Sequence, residues 1–310
     1  MKKDLSKKIL FLHREIVFNA SMKFRSEITL PQSPFTLNPQ DKIMLMGSCF
    51  TTHIGQFLTE SGFDTCVNPF GTLFNPHSIA QGLNLAIEPQ RYDERYIYHH
   101  EDCFVSFAHN TFFNRKEQSD FLQNIENQLN ISHQFLKQAQ YLFITFGTAF
   151  CYKFIERSLI VANCHKIPNF KFERIRLAVD EIVAFFVPFF EWLKQGNNTL
   201  KVIFTVSPVR HLSDGFHENT LSKSILHLAI EQLMHQEQTY YFPAYEILND
   251  DLRDYRYYAL DLCHPSEAAI HYVRECVEQA FFSIETRQWA AACRKRGLAD
   301  RHLPLINNNR

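Results

Sequence analysis

KIMLMGSCFTTHIGQFLTESGF, residues 42–63, decides how the rest of the chain is read. A short apolar run, Ile43 to Met46, stops at Gly47. Ser48 and Cys49 follow, and then a stretch with helical spacing, in which Ile54, Phe57 and Leu58 share one face and Gly62 is the stop. This is a buried strand feeding a helix, with one hydroxyl residue at the turn.

The same alternation continues outward. Strands are expected at FDTCVN (63–68), YLFITFG (141–147), KVIFTVSP (201–208) and TYYFPAYE (239–246). NPFGTLFNP (68–76) reads as a loop. Helices are expected over 77–87, 118–138, 172–193 (kinked at Pro188), 220–235 and onward from Pro265. Residues 96–113 read as an aromatic-rich hairpin or irregular excursion. Near-continuous apolar strands alternating with helices predict an α/β fold, a three-layer α/β/α sandwich around a mostly parallel five-stranded sheet. Ligands bind such sheets at the carboxyl ends of the strands, where GSCF, GTAF and SPVRH fall.

Composition narrows the function. The 310 residues are 45% hydrophobic with a formal net charge of -1, so no basic excess calls for nucleic acid or an anionic membrane surface. No run approaches the ~18 apolar residues of a membrane span. The eight cysteines form no CxxC pair and read as reduced thiols, which suggests a cytoplasmic protein. Residues 1–21 read as an N-terminal extension with Met22 as an alternative start, and 22–310 as one domain without repeats or linkers.

Ser48 is placed to act as a nucleophile, its hydroxyl beside the free N–H groups of a helix start; a plain N-cap, a part Thr51 or Thr52 would also suit, is the alternative. In DLCHPSEAA (261–269), Asp261 could orient His264 so that the imidazole takes a serine proton; an acidic surface turn with an incidental histidine is the alternative. The order Ser…Asp…His across the chain strengthens both readings. Arg210 and His211 in SPVRH are candidate substrate contacts, Arg210 for a carboxylate or phosphate, or else a salt bridge to Asp214 or Asp251. Lys166 and Arg256 are weaker candidates. YHHEDCFVSFAH (98–109) clusters histidine, acid and cysteine without zinc spacing; on a strand, His99, Glu101 and Cys103 would share a face, and a polar cleft wall is expected in place of a metal site. Cys49 reads as a small packed residue.

Further stretches carry a family resemblance: MKFRSEI (22–28), NPFGTLFNP, FGTAFCY (146–152), VANCHKIPNFKF (161–172), SPVRH and DLRDYRYYALDLCHPSEAAI (251–270). With GSCF, they make the chain resemble the GSCFA family from about Met22 to about residue 283, although Thr51 stands where the family name has Ala. That family is grouped with the SGNH (GDSL-like) esterases and lipases, which have a flavodoxin-like fold. The resemblance implies Ser48 as nucleophile, His264 as base, Asp261 as orienter, and backbone N–H groups of Ser48 and Gly71 as the oxyanion hole. It also implies an Asn after the third strand in a GxN context. Here the residues are Gly147-Thr148-Ala149, so that Asn is absent. One lost oxyanion donor costs about 2.7–4 kcal/mol of transition-state stabilisation. Asn163 is the first substitute, with Thr148, Asn75 and His165 behind it; Asn75 before Pro76 also fits a turn, and Asn163 could serve loop backbone.

The expected activity is hydrolysis of a small-molecule or glycan acyl ester through an acyl-enzyme, with no cofactor. An acyltransferase with the same residues, a silent binding protein on the same scaffold, and a metal-dependent phosphoesterase are the rivals.

Overall fold

The computed structural model describes residues 25–30 and 33–302. The chain runs through β1 (Lys42–Gly47), α1 (Cys49–Glu60), β2 (Asp64–Val67) and α2 (Pro76–Ile87). A hairpin, β3 (Ile97–His100) and β4 (Cys103–Ser106), leads to α3 (Gln118–Gln138) and β5 (Tyr141–Phe146). Then come β6 (Phe150–Phe154), β7 (Leu159–Val161), β8 (Phe172–Arg176) and α4 (Val179–Gln195). The remaining elements are β9 (Lys201–Val206), α5 (Phe216–Leu233), β10 (Thr239–Tyr241), α6 (Glu267–Phe281) and α7 (Ile284–His302).

The central sheet has the order β10-β9-β5-β1-β2, with every neighbouring pair parallel. The expected α/β sandwich is therefore present, and its five strands are wholly parallel. Side chains alternate across β1. Ile43 and Leu45 pack with Phe50, Ile54 and Phe57 of α1 and Val273 and Val277 of α6. Met44 and Met46 face the other way, onto Ile79 and Leu83 of α2, Leu129 of α3, Phe186 of α4 and Leu226 of α5. Each face of the sheet thus has its own core, which is why both sets of alternate positions are apolar.

Three local expectations change. Residues 172–176 are a strand: β8 and β7 flank β6 in an antiparallel sheet of their own. Phe172 and Ile175 imitate helical spacing, but pairing with Phe154 and Cys151 overrides it, and the helix starts only at Val179. The 239–246 region is a strand only as far as Tyr241, and then turns helical at Ala244. The helix expected to open at Pro265 opens at Glu267, with Ser266 as its cap, and α7 follows it. The extension proposed for residues 1–21 lies outside the described residues.

The strand order reverses between β1 and β5. In doubly wound sheets the crevice at that switch point is where ligands bind. Ser48 follows β1 and Gly147 follows β5, so both stand on its rim. Gly47 has φ +148°, and a Cβ there would collide with the Thr145 carbonyl, so glycine lets the two strands close up beneath Ser48.

Candidate active site

Ser48 is the N-cap of α1, yet its side chain caps nothing. The Oγ is buried and has no hydrogen-bond partner. A buried hydroxyl left unpaired is costly, and this one gains nothing from capping the helix it precedes. Its backbone N–H makes only a long bond, 3.3 Å, to the Thr145 carbonyl. Cys49 packs beside the α1 core, and burial pushes its thiol pKa up.

Asp261 and His264 form a pair. The carboxylate accepts from the backbone N–H of Cys263 (2.9 Å) and of His264 (3.0 Å), and its other oxygen meets His264 Nδ1 at 2.6 Å. Those two N–H groups, followed by the imidazole, hold the Asp261 pKa down to about 2. The carboxylate fixes the ring so that Nε2 is left to act. Both side chains are half exposed. No hydrogen bond joins His264 to Ser48; in unliganded sites such bonds commonly tighten only with substrate.

The loops carrying these groups are laced together. The Arg210 N–H donates to the Cys263 carbonyl at 3.1 Å, tying SPVRH to DLCH. The Arg210 guanidinium lies 4.0 Å from the centre of the Tyr258 ring and 5.5 Å from that of Tyr255, so it stacks on aromatics, and among the described side chains it pairs with no carboxylate. His211 is held by its backbone N–H on Asn219 Oδ1 (2.9 Å), and its ring stands edge-on to Phe74. Its Nε2 is buried without a partner. Burial, then Lys223 and His264, push its pKa down to about 4, so the ring is neutral.

Gly147 marks where these groups meet. A Cβ built on it would sit 3.3 Å from Ser48 Cβ and 3.5 Å from His211 Nε2. Beside that point opens a cavity of about 280 Å³, lined by Phe74, Asn75, Thr148, Phe150, Asn163 and His211 among others. Four of the candidates read from sequence therefore share one wall, and no ionised side chain lines it.

Several expected donors are already engaged. The Gly71 N–H donates to the Asn68 carbonyl at 2.8 Å, closing a turn. Its φ of +79° and its contact with the Asn110 side chain are what call for glycine. Gly71 is thereby removed from the oxyanion hole. Asn75 caps α2 by accepting from the Ser78 N–H (2.8 Å). The Thr148 hydroxyl meets Ser222 Oγ (3.1 Å) and accepts from the Phe150 N–H (3.1 Å). Asn163 Oδ1 accepts from the His165 N–H (2.8 Å). His165 is itself buried under the β3–β4 hairpin, Nε2 on the Ser106 carbonyl (2.8 Å), which removes it as an oxyanion donor. Asn75, Thr148 and Asn163 keep their places on the cavity wall, and the bonds of the two asparagines engage Oδ1 and not the Nδ2–H groups that could donate to an oxyanion.

The histidine-rich hairpin also differs from its reading. Glu101 and Asp102 form the turn itself, so the simple alternation of faces breaks there. His109 points inward to Ser106 Oγ (2.7 Å), and Asp102 pairs with Lys116. Among the described residues no group of three His, Cys, Asp or Glu side chains is placed to share a metal ion.

Lys223 was not legible from sequence. From α5 its ammonium enters the core and donates to the carbonyls of Gly147 and Ser207, each at 2.7 Å. It thereby pins the two strand ends that carry GTAF and SPVRH. Burial pushes its pKa down to about 7. SKSIL reads as an ordinary helix segment, and only the Ser-Lys-Ser polarity on a core-facing helix hints at it.

The family model of GSCFA proteins matches residues 42–277, from the first residue of β1 into α6. This chain belongs to the GSCFA family. The match spans Ser48, Asp261 and His264 together, the GSCFA signature opening at one end and the D-x-x-H turn near the other. No match was found among curated protein sequences. Two solved structures are distantly similar to this GSCFA chain. One is a carbohydrate esterase family 3 protein from Talaromyces cellulolyticus, with 10% identity, TM-score 0.35, and 77% of this chain and 94% of that one covered. The other is a mutant acetyl-xylooligosaccharide esterase from Geobacillus Stearmophilus, with 12% identity, TM-score 0.36, and coverage of 81% and 95%. Among the described residues of the GSCFA chain, no helix is long and apolar enough to cross a membrane.

Proposed function

We propose that this protein is a serine esterase of the SGNH type that cleaves a small-molecule or glycan acyl ester. The observation that carries the reading is an unpartnered, buried serine hydroxyl at a helix start, on the same sheet edge as an Asp-held imidazole. Ser48 Oγ attacks the ester carbonyl carbon. Its proton passes to His264 Nε2, and the carbonyl electron pair moves onto oxygen. The Asp261 carboxylate faces the imidazolium that forms and stabilises it. The oxyanion faces the first turn of α1, whose leading N–H groups lack partners within the helix and whose dipole favours negative charge. Collapse of the tetrahedral centre expels the alcohol, which takes the proton from His264. Water then repeats the sequence on the acyl-serine. The uncharged cavity wall suits a neutral substrate group.

A second reading, a silent binding protein on this scaffold, is favoured by the engaged N–H groups of Gly71, Gly147 and Thr148. Intact-mass spectrometry after fluorophosphonate treatment separates the two. An esterase gives one adduct that maps to Ser48 and is absent from Ser48→Ala and His264→Ala. A folded wild type that takes no adduct is the binding protein.

A further inference from the structure

The esterase reading leaves a gap in the oxyanion hole. GTA stands where the SGNH resemblance implies an Asn, Gly71 is spent in its turn, and the N–H groups of Gly147 and Thr148 both donate to the Phe74 carbonyl, at 2.8 and 3.0 Å. The first turn of α1 and the Asn163 Nδ2–H group remain, and the place of the missing side-chain amide is open to a further donor.

Resting on the esterase reading, we infer that His211 Nε2–H is that donor, taking the place of the missing side-chain amide. Among the described residues, Ser48 Oγ and His211 Nε2 are both buried polar atoms without a partner, as is Thr51 Oγ1 in the first turn of α1. Ser48 Cβ and His211 Nε2 flank one point beside Gly147, at 3.3 and 3.5 Å; the Phe74 carbonyl oxygen lies 2.9 Å from that point, so the carbonyl oxygen of an ester attacked by Ser48 is directed away from Phe74 and toward the imidazole edge. The ring is preorganised: its backbone is tied to Asn219 on α5, the preceding residue, Arg210, is tied to Cys263, and Phe74 blocks one side. Such fixed donors contribute most, because nothing has to reorient as charge develops.

His211 is a donor and not a second base. A base must accept a proton and hold it, and burial of this ring, and after it Lys223 and His264, oppose a positive charge there. No carboxylate among the described residues bonds its ring, whereas His264 has Asp261 at 2.6 Å. The two histidines of the site thus have opposite tasks. His264 takes the serine proton, and His211 gives a hydrogen bond to the carbonyl oxygen and keeps its proton throughout.

The test compares His211→Phe, which keeps the ring volume and loses the donor, with His211→Gln, which keeps an N–H at a similar reach. Each is assayed for second-order labelling of Ser48 by a fluorophosphonate and for p-nitrophenyl acetate hydrolysis between pH 5 and 9. The expected result is a loss of about 100- to 1,000-fold in both rates for Phe, seen in kcat with little change in KM. Gln recovers to within about tenfold of wild type, and the pH profile of the remaining activity keeps its wild-type shape. If the Phe variant labels at the wild-type rate, or if Gln is as slow as Phe, or if the Phe profile loses its acid limb, His211 is not the donor. A wild type that takes no label at all overturns the esterase reading itself, and this inference with it. Where Phe does not fold, as judged by circular dichroism, His211→Ala serves in its place with the same criteria.

Discussion

Replacing Lys223 with methionine tests how the floor of the site is held. The lysine donates to two carbonyls at 2.7 Å, those of Gly147 and Ser207, from a buried position. Its pKa is pushed down to about 7 when folded, against about 10.4 in an unfolded chain. Between those values the unfolded chain binds a proton that the folded chain does not, so stability rises with pH. The cost of burying the charge is fully felt below pH 7 and has vanished above the unfolded value. A neutral amine still has two N–H groups, one for each carbonyl, so losing the proton sacrifices neither bond. At about 1.36 kcal/mol per pH unit, with half that slope at the midpoint, the wild type gains about 2 kcal/mol from pH 7 to pH 9. Lys223→Met strands two buried carbonyls at about 1–3 kcal/mol each, partly offset by the apolar volume it restores. The stranded carbonyls favour the wild type and the buried charge, which methionine lacks, favours the variant near pH 7, so the stability of the wild type relative to the variant is expected to rise by about 2 kcal/mol from pH 7 to pH 9. Urea unfolding of both proteins at pH 7, 8 and 9 reads the gap directly, because every other titrating group is common to both. A gap that stays constant or narrows with pH refutes the reasoning.

Two further outcomes follow from the same geometry. Gly71→Ala places a Cβ against the Asn110 side chain at φ +79° and should cost more than about 1 kcal/mol; in a double-mutant cycle, Asn110→Ala should recover part of that loss in thermal unfolding, and full additivity would place the cost in the backbone alone. Asp261→Asn should lower kcat by about 10²–10⁴-fold with KM nearly unchanged. Since the Asp261 pKa is held near 2, the wild-type carboxylate stays ionised throughout the working range, and the Asn variant should be slow at every pH from 5 to 9. Recovery of its rate at any pH in that range would mean that the carboxylate charge is not what is missing.

The residues themselves carried much of this protein. Apolar runs at 42–47, 141–146 and 201–206 could only be buried strands, because each is apolar on both alternating faces and each face of the sheet has its own core. Ser48 at the end of the first run, and Asp261 three residues before His264, are local patterns, and local patterns survive folding. What tertiary structure decided is where hydrogen bonds go. Phe172 and Ile175 keep helical spacing in sequence, but β6 offers them a ladder, and they become a strand. Gly71 looks like an oxyanion donor until Asn68 is seen to accept its N–H. Lys223 looks like surface until α5 turns it under two strand ends. His211 is one residue of a five-residue motif until its Nε2 is found unpartnered beside Ser48. Side-chain periodicity is a property of neighbours in the chain and can be read there. The partner of a polar group is chosen among residues tens to hundreds of positions away, by the packing that removes water from between them.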